Sequence, residues 1–533
     1  MMSARRLSSD CGLIPSATER VWKKGLSQMK AIMVMYDSLR RDLLSVNGGP
    51  IPTPNFERLA ARTVQFDCSY VGSLPCMPAR RELHTGRYNF LHRDWGPIEP
   101  FDDSMPQLLK ENGIYTHLAT DHYHYVEDGG CTYHSRYSSW ECYRGQESDT
   151  WVADLTPPPA EYSPHLIGTK NMNGTLAAMR RKGGWQNDHN RRRWQTDGDF
   201  AMHQTFDNGI DFLQRNGRFD NWFLQIETFD PHEPFTAPQD FDGRYFSPDD
   251  PFVPDWPPYA KVDEDEKTVE NMRKKYYALT EFCDQQLGRV LDKMDELDLW
   301  KDTMLIVNTD HGFFLAEHDW WGKGAAPNYE ELVHTPLFIW DPRCPGAAGQ
   351  RRRALVQTID LAPTLLDFFG VDIPADMMGK PLAGVIAGDV PVRRHALFGY
   401  HGAPVGITDG RWVLLRAVAD STVQMYEYTH MPTHMRAPFS VEEMRSTTLH
   451  PGFSFTKGAP VMKIESRVNP RFAKAQAEGE DLLFDLQADP AQQHQLENAD
   501  KKAELLDAMA RLCAENDAPD EVYERFGLKK PER

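Results

Sequence analysis

The segment Cys76-Met77-Pro78-Ala79-Arg80 sets a sulfur nucleophile and a guanidinium four residues apart. Pro78 suits the first turn of a helix, where its missing N–H costs no hydrogen bond. Cys76 then stands at a helix N-terminus, among free N–H donors and the positive end of the dipole. Arg80 returns to the same side roughly one turn later. Such a place can bind a tetrahedral anion beside a nucleophile. Two carboxylates complement it. Asp37 follows the apolar run Ala31–Tyr36, and Asp310-His311 follows the run Met304–Val307. Both offer hard oxygens, and His311 a nitrogen, to a divalent cation that would neutralise an anionic ester. His232 comes soon after a third run, Trp222–Ile226. A lone Asp after a strand often caps a helix or forms a turn. Two of them in a chain that also carries the Cys76 segment favour a site.

These residues need strands whose ends meet. Ala31–Tyr36 is continuously apolar, as suits a strand buried on both faces of a parallel sheet. Ahead of Met304–Val307, residues Cys283, Leu287, Val290, Leu291, Met294 and Leu297 recur mostly at helical spacing. Strands alternating with helices predict a mainly parallel α/β sheet, whose ligand sites lie at the strand carboxyl ends. Residues 127–205 differ in composition. They hold Trp185 and Trp194 around Arg191, Arg192 and Arg193, and read as an insertion over one face: a solvated loop with structural Trp anchors, or a lid that shapes substrate choice. Near 388–394 the pattern changes. Asp409-Gly410 predicts a hairpin over 406–415, and a helix is expected near 501–513. The expected organisation is an extension over 1–29, a catalytic domain over 30–390 and a smaller α+β domain over 391–533.

The chain carries 59 basic and 78 acidic residues among 533, a net charge of −19. So acidic a chain is a poor general binder of nucleic acid or anionic membranes, so an anionic substrate must be drawn by local Arg, Lys and metal. The eight cysteines are scattered, with no CxxC pair. That excludes a disulfide scaffold and gives no zinc-site spacing. All but Cys76 read as small buried hydrophobes. No run has the length of a membrane span, and residues 1–30 lack the apolar core of a signal peptide, so a cytoplasmic location is expected.

Cys76-x-Pro78-x-Arg80, continued by Thr85-Gly86-Arg87, resembles the signature of the formylglycine-dependent sulfatases, with Ala79 where Ser is usual. The resemblance runs over nearly all of the chain from Lys30. Asp37 falls on the family's first metal-binding acid, Pro231-His232-Glu233-Pro234-Phe235 on its Pro-His-x-Pro-aromatic segment, Thr309-Asp310-His311-Gly312 on its second metal segment, and Gly322-Lys323 on the Gly-Lys that follows. Segments 360–366 and 483–490 look like its late packing motifs. The resemblance implies an alkaline-phosphatase-like fold. A maturation enzyme would oxidise Cys76 to formylglycine. One divalent ion, Ca²⁺ or Mn²⁺, would be held by Asp37, the residue at 76, Asp310 and His311. Of the two hydroxyls of hydrated formylglycine, one attacks sulfur and the other later loses its proton to expel sulfate. Arg80 would hold formylglycine and sulfate, His232 would protonate the leaving oxygen, and Lys323 would bind sulfate. His318 could serve either chemistry or packing.

Two departures stand out. Asp37 is followed by Ser38 where the family often has a second Asp. And Gly113-Ile114-Tyr115-Thr116 leads into Thr120-Asp121-His122-Tyr123-His124, with no Lys, where many arylsulfatases carry Gly-Lys-x-His. His122 or His124 could supply that base, with the other packed in the core. His311, in place of Asn, moves metal preference towards Mn²⁺. Ser38 and His311 also resemble the phosphonate monoester hydrolases, so a phosphonate or phosphodiester hydrolase is the alternative activity. A non-catalytic binding protein is a further one, opposed by the complete Cys76, Arg80, His232 and Lys323 set. The expected substrate is a small or saccharide sulfate ester, and a homo-oligomer is open.

Overall fold

The computed structural model describes residues 29–159, 162, 174–247, 249–250, 253–466 and 479–532. Of the expected N-terminal extension, all but Met29 lies outside them. Eight strands form the large sheet: β1 Lys30–Tyr36, β2 Val64–Phe66, β3 Tyr115–Thr120, β4 Ser139–Cys142, β5 Trp222–Glu227, β6 Thr303–Thr309, β7 Leu337–Trp340 and β8 Arg351–Arg352. Their spatial order is β8-β2-β7-β6-β1-β5-β3-β4. β1 lies between β5 and β6, parallel to both, with Ile32 beside Leu224 and Leu305. β7 alone runs against its neighbours β2 and β6. The mainly parallel sheet expected from sequence is therefore present.

The three central strands are buried along their whole length. Alternation explains why they read as unbroken apolar runs. Ile32, Val34 and Tyr36 face one core, while Ala31, Met33 and Met35 face the other. Both faces must be covered, and helices do so. On the first face lie α1 (Pro54–Arg62), α4 (Ala201–Asn216) and the long α5 (Glu266–Glu296), and on the second α2 (Cys76–Thr85) and α6 (Leu361–Phe368). Asp265 caps α5 by accepting Thr268 N at 2.8 Å. The stripe Leu279, Phe282, Cys283, Leu287, Val290 and Leu291 then enters the core. Truncating Leu287 to Ala would cost roughly 2–5 kcal/mol.

Residues 127–205 contribute one strand to this frame. Within them, Ser139–Cys142 is the edge strand of the large sheet, parallel to β3. The helix α3 (Gly174–Arg191) follows.

The remainder of the chain builds two antiparallel sheets from β9 Ala396–Gly399, β10 Val405–Thr408, β11 Trp412–Arg416, β12 Tyr426–Thr429, β13 Thr448–His450, β14 Val461–Glu465 and β15 Leu482–Asp485. They are ordered β9-β10-β11-β15 and β12-β14-β13. The hairpin β10–β11 turns at Asp409-Gly410. Gly410 has φ 90°, and Asp409 Oδ1 accepts Arg411 N and Trp412 N at 2.9 and 2.7 Å. Helix α7 (Ala499–Glu515) packs Leu505, Met509 and Cys513 on this sheet. β9 also reaches the stretch before α2: Gly399 O accepts Leu74 N, and Gly399 N donates to Gly72 O, each at 2.9 Å.

Candidate active site

Parallel strands bring their carboxyl ends to one edge of the sheet, and the polar residues gather there. Asp37 follows β1, Asp310 and His311 follow β6, His122 comes just after β3, and Glu227 ends β5. Cys76 opens α2, every residue of which is buried. Its Sγ lies 3.7 Å from Asp37 Oδ1, 3.4 Å from His311 Nε2 and 3.1 Å from Lys323 Nζ. Ser38 has φ 66°, a left-handed conformation costly for a non-glycine residue. It points Oγ at Asp37 Oδ1 (2.8 Å), and Lys323 Nζ donates to that Oγ at 3.1 Å. Ser38 thus stands beside the carboxylate whose usual tandem partner it replaces.

Arg80 organises the second half of the cluster. Its Nε donates to Glu227 Oε1 at 2.6 Å, and its Nη1 to Asp310 Oδ2 at 2.7 Å and Cys76 O at 3.0 Å. Asp37 Oδ2 is 3.1 Å from the same Nη1. All four ionic side chains are fully buried. Burial alone would push the guanidinium down, but Glu227, Asp310 and Asp37 outweigh it and keep it charged. Burial also works against ionised Asp37, where Lys323 and then Arg80 prevail and hold the carboxyl well below its usual range. Asp310 is pushed up to about 7 by burial and by Asp37 beside it. Burial, then Asp37, raises the Cys76 thiol.

Two crowded carboxylates of this kind invite a cation. Asp37, Cys76, Asp310 and His311 each present a ligand atom, all within 4.8 Å of one another. Among the described residues Asp37 Oδ2 accepts no hydrogen bond, although Arg80 Nη1 and His122 Nε2 lie 3.1 and 3.4 Å from it. The Gly312 carbonyl can only accept, so His311 Nδ1, 2.8 Å away, carries the ring hydrogen. Burial and then Lys323 hold His311 down to about 3, leaving Nε2 a free lone pair towards the cluster. The donor set fits one divalent ion.

The histidines separate. His122 Nε2 is 3.4 Å from Asp37 Oδ2, and among the described residues neither ring nitrogen has a hydrogen-bond partner. Burial, then Arg80, lowers it to about 4. His124, also buried, pairs elsewhere, with Nδ1 2.7 Å from Glu127 and Nε2 3.3 Å from Arg436. His232 lies in a loop with cis bonds at Asp230–Pro231 and Glu233–Pro234. Its Nδ1 donates to Glu233 O at 2.6 Å, and burial followed by Lys323 holds the ring well below the usual imidazole range. His318 stacks on Tyr329 with ring centroids 3.9 Å apart and faces Glu331, a packing environment. Sequence reasoning missed Glu227. Its only signal was a charged residue closing an apolar strand. Tyr125, whose hydroxyl donates to both Glu227 oxygens at 3.1 Å, gave none.

Among the described residues no helix is long and apolar enough to cross a membrane. A family model described as Sulfatase matches residues 30–371, and one described as N-sulphoglucosamine sulphohydrolase, C-terminal, matches 316–450. An arylsulfatase of Clostridium perfringens is 25% identical over 406 residues, covering 69% of this chain and 81% of that protein. Human iduronate 2-sulfatase is 24% identical over 433 residues, covering 69% and 73%. In structure, an enzyme solved with its substrate D-glucosamine-2-N,6-O-disulfate superposes with a TM-score of 0.64 at 16% identity, over 93% of this chain and 99% of that one. The phosphonate monoester hydrolase of Agrobacterium radiobacter gives 0.60 at 19% identity, over 91% and 95%. These two likenesses establish the alkaline-phosphatase-like fold. The sulfatase model runs from the first central strand through α6 and takes in every residue of the Cys76 cluster, and on that ground the chain belongs to the sulfatase family, hydrolases of sulfuric esters.

Proposed function

We propose that this enzyme hydrolyses the sulfate monoester of a saccharide or small alcohol, with Cys76, oxidised to formylglycine by a maturation enzyme, as its nucleophile. The observation that carries the reading is the convergence of Asp37, His311 and Lys323 on the Cys76 side chain, each within 3.7 Å of its sulfur. Asp37, Asp310, His311 and the residue at 76 would hold one divalent ion, which would neutralise ester oxygens and orient the attacking hydroxyl. With one nitrogen donor and two carboxylates, Mn²⁺ fits better than Ca²⁺.

The remaining roles follow from position. Arg80 is anchored by Glu227 and Asp310 and so keeps a fixed charge under the nucleophile. Its Nη2 has no partner among the described residues and is free for a sulfate oxygen. Lys323 Nζ, 3.1 Å from the sulfur, neutralises charge at the reacting centre. His122, beside Asp37, acts as the base at the nucleophile, and His232 gives its proton to the leaving oxygen. His124 supports this loop from outside. Mass spectrometry of the peptide bearing Cys76, together with sulfate release from aryl sulfates, tests the reading. An unmodified thiol in active enzyme would overturn it. His311 beside Ser38 favours one second reading, a phosphonate monoester or phosphodiester hydrolase, and faster turnover of aryl phosphonates than aryl sulfates would select it.

A further inference from the structure

Glu233 stands beside the proposed proton donor, and no role described so far uses it. Its side chain is buried at 2% exposure. Oε1 accepts the Tyr259 hydroxyl. Oε2 has no hydrogen-bond partner among the described residues, yet lies 3.2 Å from His232 Nδ1. The Glu233 carbonyl, 2.6 Å from the same Nδ1, only accepts. The hydrogen therefore sits on Nδ1, and Nε2 is left as the atom through which His232 can exchange a proton. Tyr259 is in turn held by the loop that carries Lys323. A Cβ on Gly322, which has φ +84°, would meet the Tyr259 ring at 2.3 Å. Gly322 is thus glycine both by conformation and by contact, and the ring rests against the backbone next to Lys323.

We propose that Glu233, fixed by Tyr259, is a positioning residue for His232: its carbonyl receives the Nδ1–H and sets the ring's orientation, and its carboxylate, 3.2 Å from the same nitrogen, stabilises the imidazolium whose Nε2 proton goes to the leaving oxygen. The inference rests on His232 being the proton donor. In the step, the hydroxyl oxygen of the residue at 76 would form its bond to sulfur, giving its proton to His122, as the S–O bond to the leaving group breaks and the bridging oxygen takes the Nε2 proton. The alcohol leaves neutral, and the imidazole is left neutral with Nδ1–H still directed at Glu233. A buried carboxylate behind the distal nitrogen opposes the burial and the Lys323 charge that disfavour the charged ring, and the carbonyl fixes which nitrogen faces the substrate. The bland alternative is that Glu233 and Tyr259 only hold the loop together.

The test compares wild type, Glu233→Gln, Tyr259→Phe, His232→Ala and the Glu233→Gln/His232→Ala double variant on aryl and alkyl sulfates of rising leaving-group pKa. Glu233→Gln should keep KM within about twofold and lose about tenfold in kcat on poor leaving groups, with little loss on nitrophenyl sulfate. Tyr259→Phe, which removes one hydroxyl and so is the safer variant for folding, should shift the dependence in the same direction by less. The double variant should be no worse than His232→Ala, because the carboxylate acts only through the ring. Equal losses on all leaving groups, or additive losses in the double variant, would overturn the role of Glu233. If His232→Ala itself keeps the wild-type slope, the donor assignment falls instead, so the two failures are distinguishable.

Discussion

Arg80 and Glu227 meet through a 2.6 Å contact between Nε and Oε1, with both side chains shut off from solvent. A buried ion pair adds little net stability when complete, but removing one partner strands the other charge. Glu227→Ala should therefore destabilise the fold by roughly 3–5 kcal/mol. Chemical denaturation checks this, and a loss below 1 kcal/mol would show that Arg80 finds other partners.

Cys76→Ala should leave the melting temperature close to that of wild type, since the side chain is small, and remove sulfatase turnover. Activity near wild type on any aryl sulfate would mean that the nucleophile lies elsewhere.

Asp310→Ala removes a proposed ligand and leaves Arg80 Nη1 with Asp37 and the Cys76 carbonyl. Metal content by elemental analysis should drop, and activity with it. Added Mn²⁺ should raise the melting temperature of wild type, because the ion binds only the folded site, and should not raise that of the variant. Full occupancy in the variant would exclude Asp310 as a ligand.

Glu82, in α2, yields a pH prediction away from the metal cluster. Burial pushes its carboxyl from 4.5 up to about 8, against the Ser73 hydroxyl that donates to Oε1 at 2.5 Å. The folded form thus holds this proton more tightly than the unfolded chain. Its contribution is fully present below the unfolded value of 4.5 and is lost as pH rises towards about 8. Glu82→Gln should flatten the decline of stability across that window. Parallel wild-type and variant melting curves against pH would refute the assignment.

The sequence made the frame legible where burial is two-sided. Ala31–Tyr36, Trp222–Ile226 and Met304–Val307 are unbroken apolar runs because neighbouring side chains enter opposite cores, and each is a central strand. Asp409-Gly410 was legible because that turn needs a left-handed residue. Ser139–Cys142 was not: it is an edge strand, partly exposed, and its polar–apolar alternation spans only four residues. Among the site residues, the Cys76–Arg80 spacing and the strand-end acids could be read directly. The choice between His122 and His124 could not. The chain enters a short 3-10 turn at Tyr123, which sends two histidines from one segment to different surroundings.

The contact between β9 and the stretch before α2 bears on the order of events during synthesis. Gly399 bonds to Gly72 and Leu74 on either side of Ser73, and in the folded chain Cys76 is 1% exposed. β9 leaves the ribosome long after Cys76. An enzyme that oxidises this cysteine therefore has to act while the C-terminal strands are still unmade or undocked. On the proposed oxidation of Cys76, the rate at which the nascent chain closes, relative to the supply of the maturation enzyme, would set what fraction of molecules becomes active, and faster translation or slower oxidation would yield folded protein that stays inert.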